Sequence, residues 1–308
     1  MSVWATEATK ASSRVLMLHR VLSDAPAVFG LPDCYRIRGT ALALDELLHV
    51  LDHAGPFLPL EAVERALAAG EQPPIGAVLT FDDGYREHLD VVAPLLSKRG
   101  VTATFYVATG IHGGAGAVAV VDAWYWLLDH SRRDVATVPM PDGSSFRGRL
   151  DTVDSKAAWV SGVPKAALLA ATPEHQRRML DALAEGTGSA LPSDLAARLY
   201  LRPEEWRSLA GLGMRVGAHG VRHQRLTQVA DGTLADEIHE SVATVMAVCS
   251  PVAFSYPDGA FDERVTEQLR FTRVSSAVTC QRGVLLRGMD RLRLPRFHVA
   301  TPGAIGSQ

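Results

Sequence analysis

Short apolar runs alternate with helical periods through most of this chain, and that alternation leaves few architectures open to it. "RVLMLHRV" (14–21), "IGAVLTF" (75–81), "VTATFYVATG" (101–110), "MRVGAH" (214–219), "PVAFSYP" (251–257), "RVSSAVTC" (273–280) and "LRLPRFHV" (292–299) read as buried strands. Between them, "ALDELLHVLDHAG" (43–55), "VERALAAG" (63–70), "LDVVAPLLSKRG" (89–100), "RPEEWRSLAGLG" (202–213), "LADEIHESVATVMAVC" (234–249) and "DERVTEQLRF" (262–271) read as helices. Several of these helical runs close on glycine or on basic residues, as helix ends favour. Strand following helix in this order makes a parallel sheet and an α/β fold. With about seven strands, a barrel is the leading architecture and an open doubly wound sheet the second.

The pattern lapses between residues 111 and 200. Residues 111–120 are rich in Gly and Ala, and residues 131–165 are polar and broken by Pro and Gly around "PMPDGSSFRG". Only "PEHQRRMLDALAEG" (173–186) reads as an amphipathic helix. We expect an insertion or cap with weaker regular structure here, within one domain spanning 1–308.

Bulk properties narrow the partners. Of the 308 residues, 47% are hydrophobic and 21% charged, the range of a globular protein. A formal net charge of -3 gives no reason to expect nucleic acid. Cys34, Cys249 and Cys280 are odd in number and far apart, which suggests neither a disulfide framework nor a thiolate metal site. The opening "MSVWATEATKASSRVLMLHRV" has no signal-peptide pattern. "AVAVVDAWYWLL" (117–128) is interrupted by Asp122 and is too short for a membrane span. The expectation is a cytoplasmic protein without a span.

In parallel α/β folds, ligands meet the C-terminal ends of the strands. The ionisable residues gather at such ends: His19 after "VLML", Asp82 and Asp83 after "AVLTF", His219 after "MRVGA", Tyr256 and Asp258 after "VAF". His219 and His223 are spaced so that one helical turn puts both imidazoles on one side, which suits two ligands of one metal. Adjacent carboxylates do not both ionise cheaply unless a cation intervenes. If Asp83 joins the two histidines on a divalent metal, Asp82 is free to act as a base toward a water that the metal has acidified. The same two-histidine, one-carboxylate set suits a non-haem iron oxygenase, but Asp82 has no job there.

"TFDDGY", then "APLLSKRGVTATFYVATG", "GAHGVRH" and "FSYPDG", resemble in order and spacing the polysaccharide deacetylase family, or NodB-homology domain. The resemblance spans about 14–110 and 200–299. It implies a distorted (β/α) barrel that removes acetyl groups from sugars using one divalent metal. Zinc is the first choice of metal, with Co, Ni, Mn and Fe open. On these positions Asp82 becomes the general base, and Asp83, His219 and His223 become the ligands. His19 of "LHRV" is assigned as the general acid, with His298 in reserve. The third motif of the family usually reads Arg-x-Pro-aromatic. Here Ser255 stands at the Arg and Asp258 at the aromatic, so the base appears in sequence without its usual arginine. Gly220 replaces the usual Ser or Thr after the first histidine, so that hydroxyl contact is absent.

Tyr256, Pro257, Asp258, Trp124 and Arg296 are the candidate substrate-side residues. Trp124 either stacks on a sugar or packs the cap, and packing is the commoner role. Arg296 either orients a site carboxylate or sits in a surface ion pair. The expected substrate is an N-acetylated sugar, nucleotide-linked, lipid-linked, oligosaccharide or metabolite-borne. The alternatives are a C–N hydrolase of a small metabolite or cyclic ureide on the same scaffold, and a non-catalytic carbohydrate-binding relic.

Overall fold

Every pair of neighbours in the main sheet is parallel. The structure, a computed structural model, describes residues 11–22, 33–114 and 116–300. The reading of residues 1–10 therefore lies outside the described residues. The sheet has seven strands: β1 (Ser13–Leu18), β2 (Gly76–Phe81), β3 (Ala103–Val107), β4 (Arg215–Ala218), β5 (Val252–Ser255), β6 (Val274–Val278) and β7 (Phe297–His298). Their spatial order is β6-β5-β4-β3-β2-β1-β7, so the last strand lies beside the first. Nearly every residue of these strands is buried, as both faces of a covered parallel sheet require.

The segment leading into β7 joins the two sides of the sheet. Leu294 exchanges backbone hydrogen bonds with Ala277 (2.9 Å) and Thr279 (2.8 Å) beside β6, and Val299 donates to Met17 of β1 (2.9 Å). The sheet thus curls into a distorted (β/α) barrel, as the alternation predicts. The sequence reading made 292–299 one strand. Only Phe297–His298 is regular, because the preceding residues are spent on this closure.

Period two along a strand decides what enters the interior. Val15, Val78, Tyr106, Ala253, Val278 and Leu294 form one buried cluster with Leu60 and Val63, from the helix Leu60–Ala68. Glu64 of that helix accepts from Arg215 (3.0 Å) and from the Ser275 hydroxyl (2.8 Å). Stepping by two from Val15, Val78, Ala253 and Leu294 along the same face reaches Met17 and His19, Thr80 and Asp82, Ser255, and Arg296 and His298. The apolar half of each strand fixes the register, and the register carries the polar strand ends to one rim.

The chain divides into two compact units. The larger contains Ala43–Ala117 and Ala196–Val299 with the first strand, and the smaller is built around Val118–Leu195. The smaller unit has more regular structure than its sequence suggests. It contains the helices Val120–Asp129, Val153–Ser161, Val163–Ala170 and Pro173–Thr187, and an antiparallel hairpin of Val135–Pro139 with Ser145–Arg149. The expectation of weak structure over 111–200 is corrected here. "PDG" is the hairpin's turn rather than a loop, and Thr152 caps a helix by accepting from Ser155 N (3.1 Å). Among the described residues, no helix is long and apolar enough to cross a membrane.

Candidate active site

Asp82 follows directly on β2, and its amide donates to Leu18 O of β1 (3.0 Å). The neighbouring strands hold His19 and Asp82 level at the rim. Asp83 then turns into the left-handed region at φ 77. Among the described residues, the only non-glycine positions with positive φ are Asp83, His223 (φ 52) and Asp258 (φ 54). Such backbone costs about 1–3 kcal/mol per residue and persists where the surroundings impose it. All three fall in the loops at this rim.

The turn at Asp83 separates the two carboxylates into different surroundings. Asp83 Oδ1 lies 3.5 Å from His219 Nε2 and 3.2 Å from His223 Nε2. Three candidate ligand atoms, one from each residue, lie within 4.8 Å of one another. His219 Nδ1 is 2.7 Å from the Ser255 carbonyl. A carbonyl only accepts, so that nitrogen carries a proton, and in the ring's neutral form Nε2 turns a lone pair toward Asp83. A lone pair facing a carboxylate oxygen is repulsive unless a cation sits between them, and a carbonyl bond behind a ligating histidine is the usual support of a metal site. The donor set therefore fits a divalent cation. Burial alone would raise the Asp83 pKa, but hydrogen bonds donated by the His219 and His223 rings in their protonated form hold it well below the ordinary carboxylate range.

Asp82 is buried against Arg296. Nη1 of Arg296 donates to Asp82 Oδ1 (2.8 Å) and Nη2 to Oδ2 (2.7 Å), a two-pronged pair. The same guanidinium donates to Thr80 Oγ1 (3.2 Å), Ser255 Oγ (3.1 Å) and Thr279 O (2.8 Å). All five of its N–H groups thus have acceptors, which is what a fully buried guanidinium requires. Ser255 Oγ also donates to Asp82 Oδ2 (3.3 Å). Burial would raise the Asp82 pKa, but the Arg296 guanidinium overcomes it and holds the value at about 2.

This geometry corrects the reading that the base lacks an arginine. Ser255 does stand where the arginine was expected, but Arg296 reaches the same carboxylate from the segment before β7. The surface alternative for Arg296 is excluded by its burial at 1% exposure.

His19 is near both carboxylates, whose charges act on its ring. Burial nevertheless pushes its pKa down from the usual imidazole value. Its Nδ1 is buried with no hydrogen-bond partner among the described residues. The His298 ring stands edge-on to it at 5.6 Å. Behind it, His88 Nε2 donates to the His19 carbonyl (2.8 Å) from within a cluster of Phe81, Tyr85 and Phe105.

The substrate-side candidates separate. Asp258 is at the rim and accepts from Arg225 Nε (3.0 Å). Tyr256 is fully buried, its hydroxyl donating to Leu292 O (2.8 Å), and Pro257 is buried beside it. Trp124 belongs to the smaller unit, where its ring is fully enclosed and Nε1 donates to Trp159 O (3.1 Å). Neither Tyr256 nor Trp124 has a ring face left for a sugar, so packing accounts for both. The sequence reading missed Glu237. It is fully buried on the helix Asp231–Met246, with Oε2 accepting from Val221 N (3.1 Å) and Arg222 N (3.0 Å). The signal was available: a charge within the apolar stripe of Leu234, Ile238, Val242 and Val245.

Residues 69–126 and 169–275, over half of the chain, match the model of the polysaccharide deacetylase family. The chain belongs to that family. Its fold is shared with the Streptococcus pyogenes deacetylase PplD, solved in complex with acetate, at 17% identity and TM-score 0.53, covering 96% of both chains. It is shared also with IcaB from Ammonifex degensii, at 17% identity and TM-score 0.55, covering 95% of this chain and 93% of that one. The BpsB deacetylase domain from Bordetella bronchiseptica is similar at 14% identity and TM-score 0.52, covering 94% of this chain and 96% of that one. No curated protein matches the sequence.

Proposed function

We propose that this chain is a metal-dependent hydrolase that removes the N-acetyl group from an amino sugar or glycoconjugate. The observation that carries the reading is the different setting of two adjacent carboxylates, Asp83 between two imidazoles and Asp82 clamped by Arg296. Asp83, His219 and His223 are the residues assigned to hold the cation, with zinc favoured by a donor set of two imidazoles and one carboxylate. When bound, a divalent cation supplies Lewis acidity toward the acetyl carbonyl and toward the attacking water.

Asp82 accepts the proton of that water as its oxygen bonds to the acetyl carbon. The Arg296 clamp keeps Asp82 ionised and fixes its plane; Oδ2 also accepts from Ser255, so Oδ1 is the oxygen that retains a lone pair for the proton. The carbon–nitrogen bond then breaks, and the departing amine needs a proton. His19 is assigned to deliver it, because both carboxylate charges act on its ring and its buried Nδ1 has no hydrogen-bond partner among the described residues. The Asp258 backbone amide is assigned as a donor to the developing oxyanion. Acetate and a free amino sugar leave.

The test is mass spectrometry of acetate release across nucleotide-linked, lipid-linked and oligomeric N-acetylated sugars, with zinc, cobalt, nickel, manganese or iron added to stripped protein. Metal-dependent acetate release from at least one class is expected. Protein that binds metal yet releases no acetate from any of them would overturn the reading.

A further inference from the structure

The two candidate imidazole ligands are held by different means. His219 is fixed by its strand, its amide donating to Val107 O (3.0 Å) and its Nδ1 to Ser255 O. From there the chain makes a tight excursion to His223, entering at Gly220 (φ 74) and leaving with His223 itself at φ 52. The His223 end is a non-glycine residue in the left-handed region, which the backbone does not adopt for its own sake.

Glu237 holds the middle. Its carboxylate accepts the successive amides of Val221 and Arg222, and it pairs with the Arg222 guanidinium. From the same helix, Ser241 Oγ donates to Gly220 O (2.9 Å). On the other side the amides of Thr109 and Gly110 donate to Gly220 O (3.0 Å) and Val221 O (2.8 Å). A fully buried carboxylate is costly unless hydrogen-bonded, and here its bonds are spent on the peptides that join the two histidines.

We propose that Glu237 is a positioning residue for the metal centre: its carboxylate folds the Gly220–Arg222 excursion so that His223 Nε2 meets Asp83 and His219. The inference rests on the metal reading above. Glu237 does not touch substrate or cation. It sets the angle at which one ligand arrives.

The test measures zinc affinity by competition with a chromogenic chelator, and the visible spectrum of the cobalt-loaded protein. Both are compared for the whole chain and for Glu237→Ala, Glu237→Gln and Arg222→Ala. Loss of a group that orients a ligand typically weakens metal binding about 10–100-fold, and Glu237→Ala is expected in that range with a changed cobalt spectrum. Glu237→Gln keeps an oxygen for the two amides and should recover part of the loss. Arg222→Ala leaves the carboxylate–amide bonds in place and should stay near the parent affinity. If Glu237→Ala fails to fold, the graded response of Glu237→Gln carries the test. Parent zinc affinity and an unchanged cobalt spectrum in the folded Glu237 variants, even with lower thermal stability, would make the residue merely structural and overturn the proposal. A parent protein that binds no zinc or cobalt overturns the metal reading, and this inference with it.

Discussion

The two units of the molecule bury polar groups in opposite ways. In the smaller unit the buried polar groups named here hydrogen-bond within that unit's own core. Trp124 donates to Trp159 O, Trp159 donates to Arg149 O (3.1 Å), and Asp122 takes the Tyr35 hydroxyl. In the larger unit, Asp82, Asp83, His19, His219 and Arg296 converge at one rim, with like charges adjacent and the backbone forced left-handed at Asp83 and His223. The first arrangement rigidifies a core. The second holds charge and strain that no packing argument needs, and that is the usual mark of a site where chemistry is done.

The contrast breaks most completely at the histidines. His219→Ala and His223→Ala should each take bound metal from one per chain to none and reduce deacetylation to background, with the fold retained by circular dichroism. Elemental analysis checks this. Full metal retention in both variants would remove the reason for the convergence at the rim.

Asp82→Asn is next in size. Asparagine keeps the shape but accepts no proton, and loss of a general base costs about 10²–10⁴-fold in turnover. Metal content should be unchanged, because Asp83 and not Asp82 faces the imidazoles. A near-normal kcat would move the base elsewhere and leave the Arg296 clamp without a purpose.

The same contrast explains what could be read before any coordinates. In the larger unit the strands carry unbroken apolar runs that lead straight into polar residues, so Asp82, Asp83 and His219 were legible as strand ends, and His223 from its spacing to His219. The role of Arg296 stayed open between a site carboxylate and a surface ion pair, because the choice depends on the last segment closing the barrel beside β1, a long-range fact with no local signal. The helices Val153–Ser161 and Val163–Ala170 were hidden for a different reason. They are short, meet at a glycine, and bury only a few residues each, so their period barely rises above the background. In the hairpin burial does alternate, but Val135–Pro139 buries only Ala136 and Val138 and Ser145–Arg149 only half-buries Phe146 and Gly148, so too little apolar sequence marks either strand.

On the quiet side of the comparison, Trp159→Ala should act on stability alone. Trp159 is fully buried, stands edge-on to Phe146 at 4.9 Å, and both accepts and donates a hydrogen bond. Truncating such a tryptophan costs about 3–5 kcal/mol. Denaturant melts should show that loss, while the folded fraction keeps its metal stoichiometry. Loss of metal from folded Trp159→Ala protein would mean the two units are not separable in this way.

The smallest effect tests a residue that belongs to the larger unit but behaves like the smaller one. Tyr256 sits in the third motif, beside Asp258, and by sequence is a candidate for contact with substrate. Its ring is enclosed between Phe254 (5.6 Å) and Phe261 (5.1 Å), and burial pushes its hydroxyl up to about 12, so it stays protonated. Tyr256→Phe keeps the ring and its packing and removes only the donor to Leu292 O. That carbonyl is then left buried without this donor, which costs about 1–3 kcal/mol. Leu292 lies on the segment that delivers Arg296 to Asp82, so the loss is expected to appear as lower stability with a small fall in kcat. KM for the sugar should not move, because no face of the ring meets solvent. A severalfold rise in KM at unchanged stability would reverse the assignment and place Tyr256 in the substrate's path.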